Sequence, residues 1–338
     1  MAGMKSQAEA RRINLLLNET DGAIKESVTE FLQRAADTRP RTQRRSQSLT
    51  VQLIGNELVR CFPLIRSVIP RVNCTNINWQ LRVADWSMTP EMVLFFNKHS
   101  VEVVLSLRGR SEELEELQRI FGQSSFKDLN HVSVDSVLTA YSQDTYGIRA
   151  AVNELFGRQV SLKHRFLTLH NRVSDDLVAY DLSAWQTTCS RMAESALLQF
   201  EEKKPGWESD GYRRFINSYY DFVEGINPLC SCSTRGKTLT VDGSGRVWRC
   251  INGVYPIGTV DSECREFNQR SEENIIRLYQ ENKRFCGTCR WFPFCHGHCP
   301  REINTPQQAK QCEFMGIFFE SVEEVMRKFE SFLLKEKS

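Results

Sequence analysis

What the sequence lacks narrows the choice first. No stretch comes near the roughly 18 consecutive apolar residues of a membrane span. The opening "MAGMKSQAEARR" has no apolar core of the signal-peptide kind. Charge of one sign is missing too: 44 Lys and Arg against 42 Asp and Glu leave a net charge of +2. Such a balance calls for neither nucleic acid nor an anionic membrane. No internal repeat, low-complexity tract, Walker loop or hydrolase triad pattern occurs. The expectation is a cytoplasmic, reducing setting, with no membrane and no nucleic acid among the partners. Cysteine is scarce over the first 229 residues, where only Cys61, Cys74 and Cys189 occur.

What is present is ordinary in bulk and unusual in one region. A hydrophobic content of 41% and a charged content of 25% are those of a soluble globular protein. The 338 residues leave room for one large domain and a small one. The other nine cysteines lie between Cys230 and Cys312. In a reducing setting they point to metal or redox chemistry rather than disulfides. The shift in composition puts a domain boundary near "DFVEGINPLC", giving residues 1–228 and 229–338.

Periodicity over residues 10–229 alternates. "RRINLLLN", "LTVQLIG", "NWQLRVA", "VEVVLSL", "LNHVSVDSVL" and "VSLKHRFLTLH" read as strands. Between them, "DGAIKESVTEFLQRAAD" places Ile24, Val28, Phe31, Leu32 and Ala35 on one helical face. "ELVRCFPLIRSVI" is helical, with Pro63 expected to kink or split it. "TPEMVLFFNKHS" is a helix with Thr89 as N-cap and Pro90 at the first position. "SEELEELQRIF" and "YGIRAAVNELF" are helical, and two more helices follow around 182–202 and 212–223. Six strands alternating with helices predict an α/β domain with a parallel sheet or partial barrel. Ligands in such sheets sit at the strand carboxyl ends. From Phe314 onward, Phe318, Val322, Val325 and Phe329 make an amphipathic helix.

The cysteines of the last third are spaced, not scattered. "CSC" supplies Cys230 and Cys232, and four residues separate Gly245 from Cys250. After a gap come Cys286-x2-Cys289-x5-Cys295-x3-Cys299, and after another, Cys312. Thiolates bind Zn²⁺ or iron–sulfur clusters, and C-x2-C lets two sulfurs reach one centre from a single turn. Spacing does not separate the two metals, so zinc stays a rival. Cys61, Cys74 and Cys189 read as plain buried thiols, and Cys264, inside the first gap, matches no interval and reads as a non-ligand. His296 and His298 tune a metal site by hydrogen bonding or are ordinary loop histidines. "RWFPF" reads as an apolar shield or, less simply, a peptide groove, and "RPRTQRR" (Arg39, Arg41, Arg44, Arg45) as a solvated loop.

The cysteine intervals resemble the SPASM domain, the C-terminal extension of many radical SAM enzymes that modify peptides and proteins. Its signature is C-x9–15-G-x4-C, gap, C-x2-C-x5-C-x3-C, gap, C, and every interval is met over about the last 110 residues. The resemblance implies two auxiliary [4Fe-4S] clusters with crossed ligands. Cys230, Cys232, Cys250 and Cys299 would hold the first. Cys286, Cys289, Cys295 and Cys312 would hold the second. "TLTVDGSGRVWRC" then reads as a β-hairpin turning at "DGSG" and delivering Cys250.

The front half resembles the radical SAM partial barrel at lower specificity. That family's first strand runs into a C-x3-C-x2-C loop whose three thiolates hold a [4Fe-4S] cluster with one open iron for S-adenosylmethionine. Here "INLLLNETDGAIKE" runs almost directly into the first helix, and no C-x3-C-x2-C occurs anywhere. The family's GGE is "GNE", keeping Gly55 and Glu57; its TNG is "ADW"; its SLDG is "SLRG", keeping Ser106, Leu107 and Gly109 but placing Arg108 at the acidic position. Gly55, Glu57 and Ser106 are the residual S-adenosylmethionine-site positions, and a structural turn is the simpler reading of the first two.

The fold implied is α/β: a partial (β/α)6 radical-SAM-like barrel with a small C-terminal Cys-rich SPASM domain. The function implied is that of a degenerate paralogue that keeps the auxiliary clusters and has lost the catalytic one. It would serve an active radical SAM enzyme or a peptide substrate as accessory, scaffold or electron relay. The alternatives are an enzyme with a non-standard cofactor site and a zinc-binding interaction protein.

Overall fold

The computed structural model describes residues 12–17, 24–37, 48–55, 57–72, 76–83, 87–107, 115–116, 118–119, 125–138, 144–166, 181–201, 238–249, 256–262, 264–292 and 306–336. Strands β1 (Arg12–Leu16), β2 (Leu49–Ile54), β3 (Ile77–Val83), β4 (Glu102–Leu107), β5 (Val132–Leu138) and β6 (Ser161–Phe166) fall on the six predicted segments. With β7 (Thr238–Asp242), β8 (Arg246–Trp248) and β9 (Pro256–Thr259) they form one sheet ordered β6-β5-β4-β3-β2-β1-β7-β8-β9. The helices are α1 (Glu26–Asp37), α2 (Leu58–Val68), α3 (Pro90–Lys98), α4 (Thr145–Phe156), α5 (Leu182–Glu201), α6 (Cys264–Cys286) and α7 (Pro306–Glu336). The chain is α/β with a mixed sheet, a radical-SAM-like partial barrel.

Contacts divide the chain into two compact units. One comprises Met1–Ser106, Leu117–Val134 and Leu229–Gln280, the other Leu107–Glu116, Asp135–Pro228 and Glu281–Ser338.

In the first unit β1 to β4 run parallel, as hydrophobic strands joined through helices must. Their alternation puts Ile13, Leu15, Val51, Leu53, Leu81 and Val103 on one face, all within 1% of full burial. Val28, Phe31, Leu32 and Ala35 are the buried stripe of α1. Thr89 caps α3, its Oγ1 accepting from the Met92 N–H at 3.3 Å, with Pro90 at the first position. Pro63 does not split α2, which continues through it from Leu58 to Val68. Proline removes the bond to the carbonyl four residues back, that of Val59. Pro63 and Val59 both lie on the exposed side of the helix.

The hairpin assigned to the C-terminal domain joins this sheet. β7 pairs with β1 in parallel, and β8 and β9 follow antiparallel. Its turn is held by Asp242, whose Oδ1 accepts from Ser244 N, Ser244 Oγ and Arg246 N, and whose Oδ2 accepts from Arg246 Nε at 2.7 Å. Burial opposes the charge on Asp242, but these donors outweigh it and hold the carboxyl below its usual range. Gly245 closes the turn at φ 86°, and a Cβ there would stand 2.9 Å from Val260 Cγ2. That explains a glycine at this position of the cysteine pattern.

The second unit has its own core. Trp185, Cys189 and Ala193 on α5 meet Phe314, Phe318, Val322, Val325 and Phe329 on α7. The indole of Trp185 stacks on Phe314 at 4.0 Å, and its Nε1–H donates to the Phe314 carbonyl at 2.9 Å. The tail helix was expected from Phe314; it begins at Pro306, so Cys312 lies on it.

Candidate metal centre and residual cofactor positions

Three of the four cysteines expected at the second cluster are described. Cys286 ends α6, Cys289 follows in the turn, and Cys312 is in α7. The turn is tight: Cys289 N–H donates to Cys286 O, and Phe292 N–H to Cys289 O, each at 3.0 Å. It is fastened to α7 by its neighbours. The Arg290 guanidinium sits 4.1 Å over the Trp291 ring and reaches Glu320 Oε1 at 3.4 Å and Glu323 Oε2 at 3.6 Å. Both ion pairs are exposed and worth under about 1 kcal/mol each. Trp291 is half-buried against Phe319, 5.5 Å between ring centroids, and so docks on the α5–α7 core.

The thiols feel one another. Burial, then the charges of Cys286, Cys289 and Glu313, push the Cys312 thiol up from its ordinary value. A thiol raised in this way is one whose thiolate form a soft metal cation would favour. Among the described residues no three His, Cys, Asp or Glu side chains are arranged to hold a metal ion. The donor chemistry fits a thiolate-bound centre. Cys295, Cys230, Cys232, Cys250 and Cys299 lie outside the described residues, as do Cys74, His296, His298, the "RPRTQRR" arginines and the predicted helix at 212–223. Cys264 opens α6, its side chain undescribed.

Cys61 and Cys189 are buried in the two cores. Burial drives the Cys189 thiol far up, against a Ser321 hydrogen bond that pulls it down.

The residual positions cluster at the carboxyl ends of parallel strands. Gly55 follows β2, Glu57 is the N-cap residue of α2, and Ser106 lies in β4. Each has a structural partner. A Cβ on Gly55 would strike Cys61 Sγ. Glu57 Oε2 meets Arg60 Nε at 2.8 Å. Ser106 Oγ accepts from Arg82 Nε at 3.0 Å. Asn56, Arg108, Gly109 and "ADW" are outside the described residues.

Sequence reading missed a row of polar side chains. The register aligns Thr240, Asn14, Gln52, Gln80 and Glu102 on five adjacent strands. Ser133 on β5 continues it, its Oγ donating to Glu102 Oε1 at 2.7 Å. The signal was present in each strand as a polar residue between apolar neighbours, alongside others of the same kind. Only the pairing shows that the five stand in line.

No family model matches the chain, and no curated protein does either. Solved structures do match. Native anSMEcpe with bound AdoMet and Kp18Cys peptide superposes with a TM-score of 0.60 at 13% identity, over 94% of this chain and 99% of that one. Hexahistidine-tagged anSMEcpe with bound AdoMet gives 0.61 at 14% identity, over 95% of each. Native anSMEcpe with bound AdoMet and Cp18Cys peptide gives 0.57 at 13%, over 94% of this chain and 99% of that one. The likeness is one of fold. It extends through both compact units and agrees with the partial barrel described above. No helix among the described residues is long and apolar enough to cross a membrane.

Proposed function

We propose that the chain is an iron–sulfur accessory protein of radical SAM/SPASM type, supporting peptide modification in the cytoplasm without cleaving S-adenosylmethionine itself. One observation carries this reading: the connection from Leu16 to Glu26 contains no cysteine, and no C-x3-C-x2-C exists elsewhere. The family's open iron needs three thiolates offered to four irons. The eight spaced cysteines offer four to each of two clusters, which closes both. Cys286, Cys289, Cys295 and Cys312 would hold one, and Cys230, Cys232, Cys250 and Cys299 the other. When bound, such clusters carry single electrons and fasten the segments that ligate them.

The residual positions support the loss of the catalytic site. Gly55 is required by Cys61, while Glu57 and Ser106 are engaged by Arg60 and Arg82. The peptides in two of the matched structures favour a peptide as the ligand chemistry of this fold, brought by or shared with an active enzyme. The functional division at about residues 228/229 belongs to the same proposal.

The test is a product assay. The isolated chain, reduced with dithionite and given S-adenosylmethionine, is expected to make no 5′-deoxyadenosine above background. Adding the cognate active enzyme is expected to restore chemistry, with this chain raising its rate or substrate affinity. 5′-Deoxyadenosine from the pure chain alone would overturn the accessory reading.

A further inference from the structure

A parallel sheet covered on both sides reads as apolar on both faces. Here one face is apolar and the other carries Thr240, Asn14, Gln52, Gln80 and Glu102 in register, with Ser133 beyond. At about 4.8 Å per strand, the four steps from Thr240 to Glu102 span roughly 19 Å. Asn14, Gln52, Ser133 and Thr240 are all at least nine-tenths buried. Buried polar atoms without partners are costly, so such a row calls for something that satisfies it.

The row is not satisfied from within. Asn14 is 6% exposed, its Nδ2 makes only a 3.4 Å contact with Thr240 Oγ1, and its Oδ1 has no hydrogen-bond partner among the described residues. At the far end, Gln80 Nε2 and Ser133 Oγ each donate to a different oxygen of Glu102, both at 2.7 Å. Two neutral donors orient this carboxylate, and each oxygen keeps a lone pair. No Lys, Arg or His pairs with it among the described residues. Other carboxylates of the same unit are paired: Asp242 with Arg246, Glu57 with Arg60 and Glu91 with Arg66. Among the described residues Glu102 is aimed but has no cationic partner.

We propose that this row binds an extended, amide-bearing ligand whose ammonium or guanidinium group is taken by Glu102. The cation supplies the charge that Glu102 lacks. Amide N–H groups along the ligand supply the donor that Asn14 Oδ1 lacks, and Gln52 has both a donor and an acceptor to offer. The inference rests on the proposed function only in expecting a peptide-like ligand. A lysine side chain in a peptide and a free polyamine share the cationic chemistry; the amide contacts favour the peptide.

The test uses the full chain as purified, its metal content measured first. Three probes are titrated calorimetrically: N-acetyl-Gly-Gly-Lys-Gly-amide, its norleucine counterpart, and spermidine. The lysine peptide is expected to bind about tenfold or more tightly than the norleucine peptide, the worth of one charge-assisted hydrogen bond. It is also expected to outbind spermidine. Glu102→Gln is expected to abolish the lysine preference, and Asn14→Leu and Gln52→Leu to weaken the lysine peptide several-fold without lowering the melting temperature. A wild-type chain indifferent to lysine versus norleucine overturns the proposal without recourse to any variant. So does a fall in melting temperature on Asn14→Leu and Gln52→Leu with binding intact, which would make the row a structural network. Spermidine bound more tightly than the peptide overturns the amide part. Absence of binding to an iron-loaded chain refutes this inference alone; zinc in place of iron refutes the metal assignment alone.

Discussion

Trp185→Ala is expected to cost about 3–5 kcal/mol, the range for removing a fully buried large aromatic. Trp185 has no exposed surface and is the largest fully buried side chain among the described residues. Its truncation removes the face stacked on Phe314 at 4.0 Å and the donor to the Phe314 carbonyl. The cavity would open between α5 and α7. A thermal midpoint lower by roughly 10 °C is the expected reading for a unit of this size. Gln186→Ala, an exposed neighbour, is expected to change stability by no more than about 0.5 kcal/mol. Equal effects from the two would show that the α5–α7 contact is not the core of this unit. The consequence reaches the cysteines. Phe314 is two residues from Cys312 on the same helix, so loosening α7 displaces one thiol from the pair at Cys286 and Cys289.

Cys289→Ala is expected to remove one of the two proposed clusters, about half of the bound iron and sulfide. Cys61→Ala and Cys189→Ala are expected to keep the full complement. The distinction is physical. Cys289 is exposed in a turn next to two other thiols, whereas Cys61 packs against Gly55 and Cys189 lies in an apolar core that keeps its thiol neutral. Metal binding also supplies folding energy to its ligand segments, so Cys289→Ala is expected to loosen the turn at 286–292. The α5–α7 core does not depend on that turn and is expected to survive. Equal iron loss in all three variants would contradict the ligand assignment.

Much of the fold was legible because each signal was local. β4 is a nearly continuous apolar run interrupted by Glu102 and Ser106, and Thr89 with Pro90 announces the start of α3. The hairpin turn was readable from "DGSG". What was not legible depends on distant partners. β7 lies beside β1 although 226 residues separate Asn14 from Thr240. The helix α6 is dominated by polar and charged residues. β9 is four residues beginning with proline, too short to announce itself. The cysteine pattern was legible as spacing. The neighbourhood of Cys286, Cys289 and Cys312 was not, since it rests on Trp291 docking against Phe319 and on Phe314 held by Trp185. The polar row of the sheet is a property of register, which no single strand encodes.

The account turns on what the eight spaced thiols hold. The most direct measurement is iron, acid-labile sulfide and zinc analysis of protein purified without oxygen, alongside its absorption spectrum. The account predicts a brown protein absorbing at about 400 nm, with roughly eight irons and eight sulfides per chain. About two zincs per chain and no sulfide would contradict it and leave a structural zinc protein on a radical-SAM-like fold.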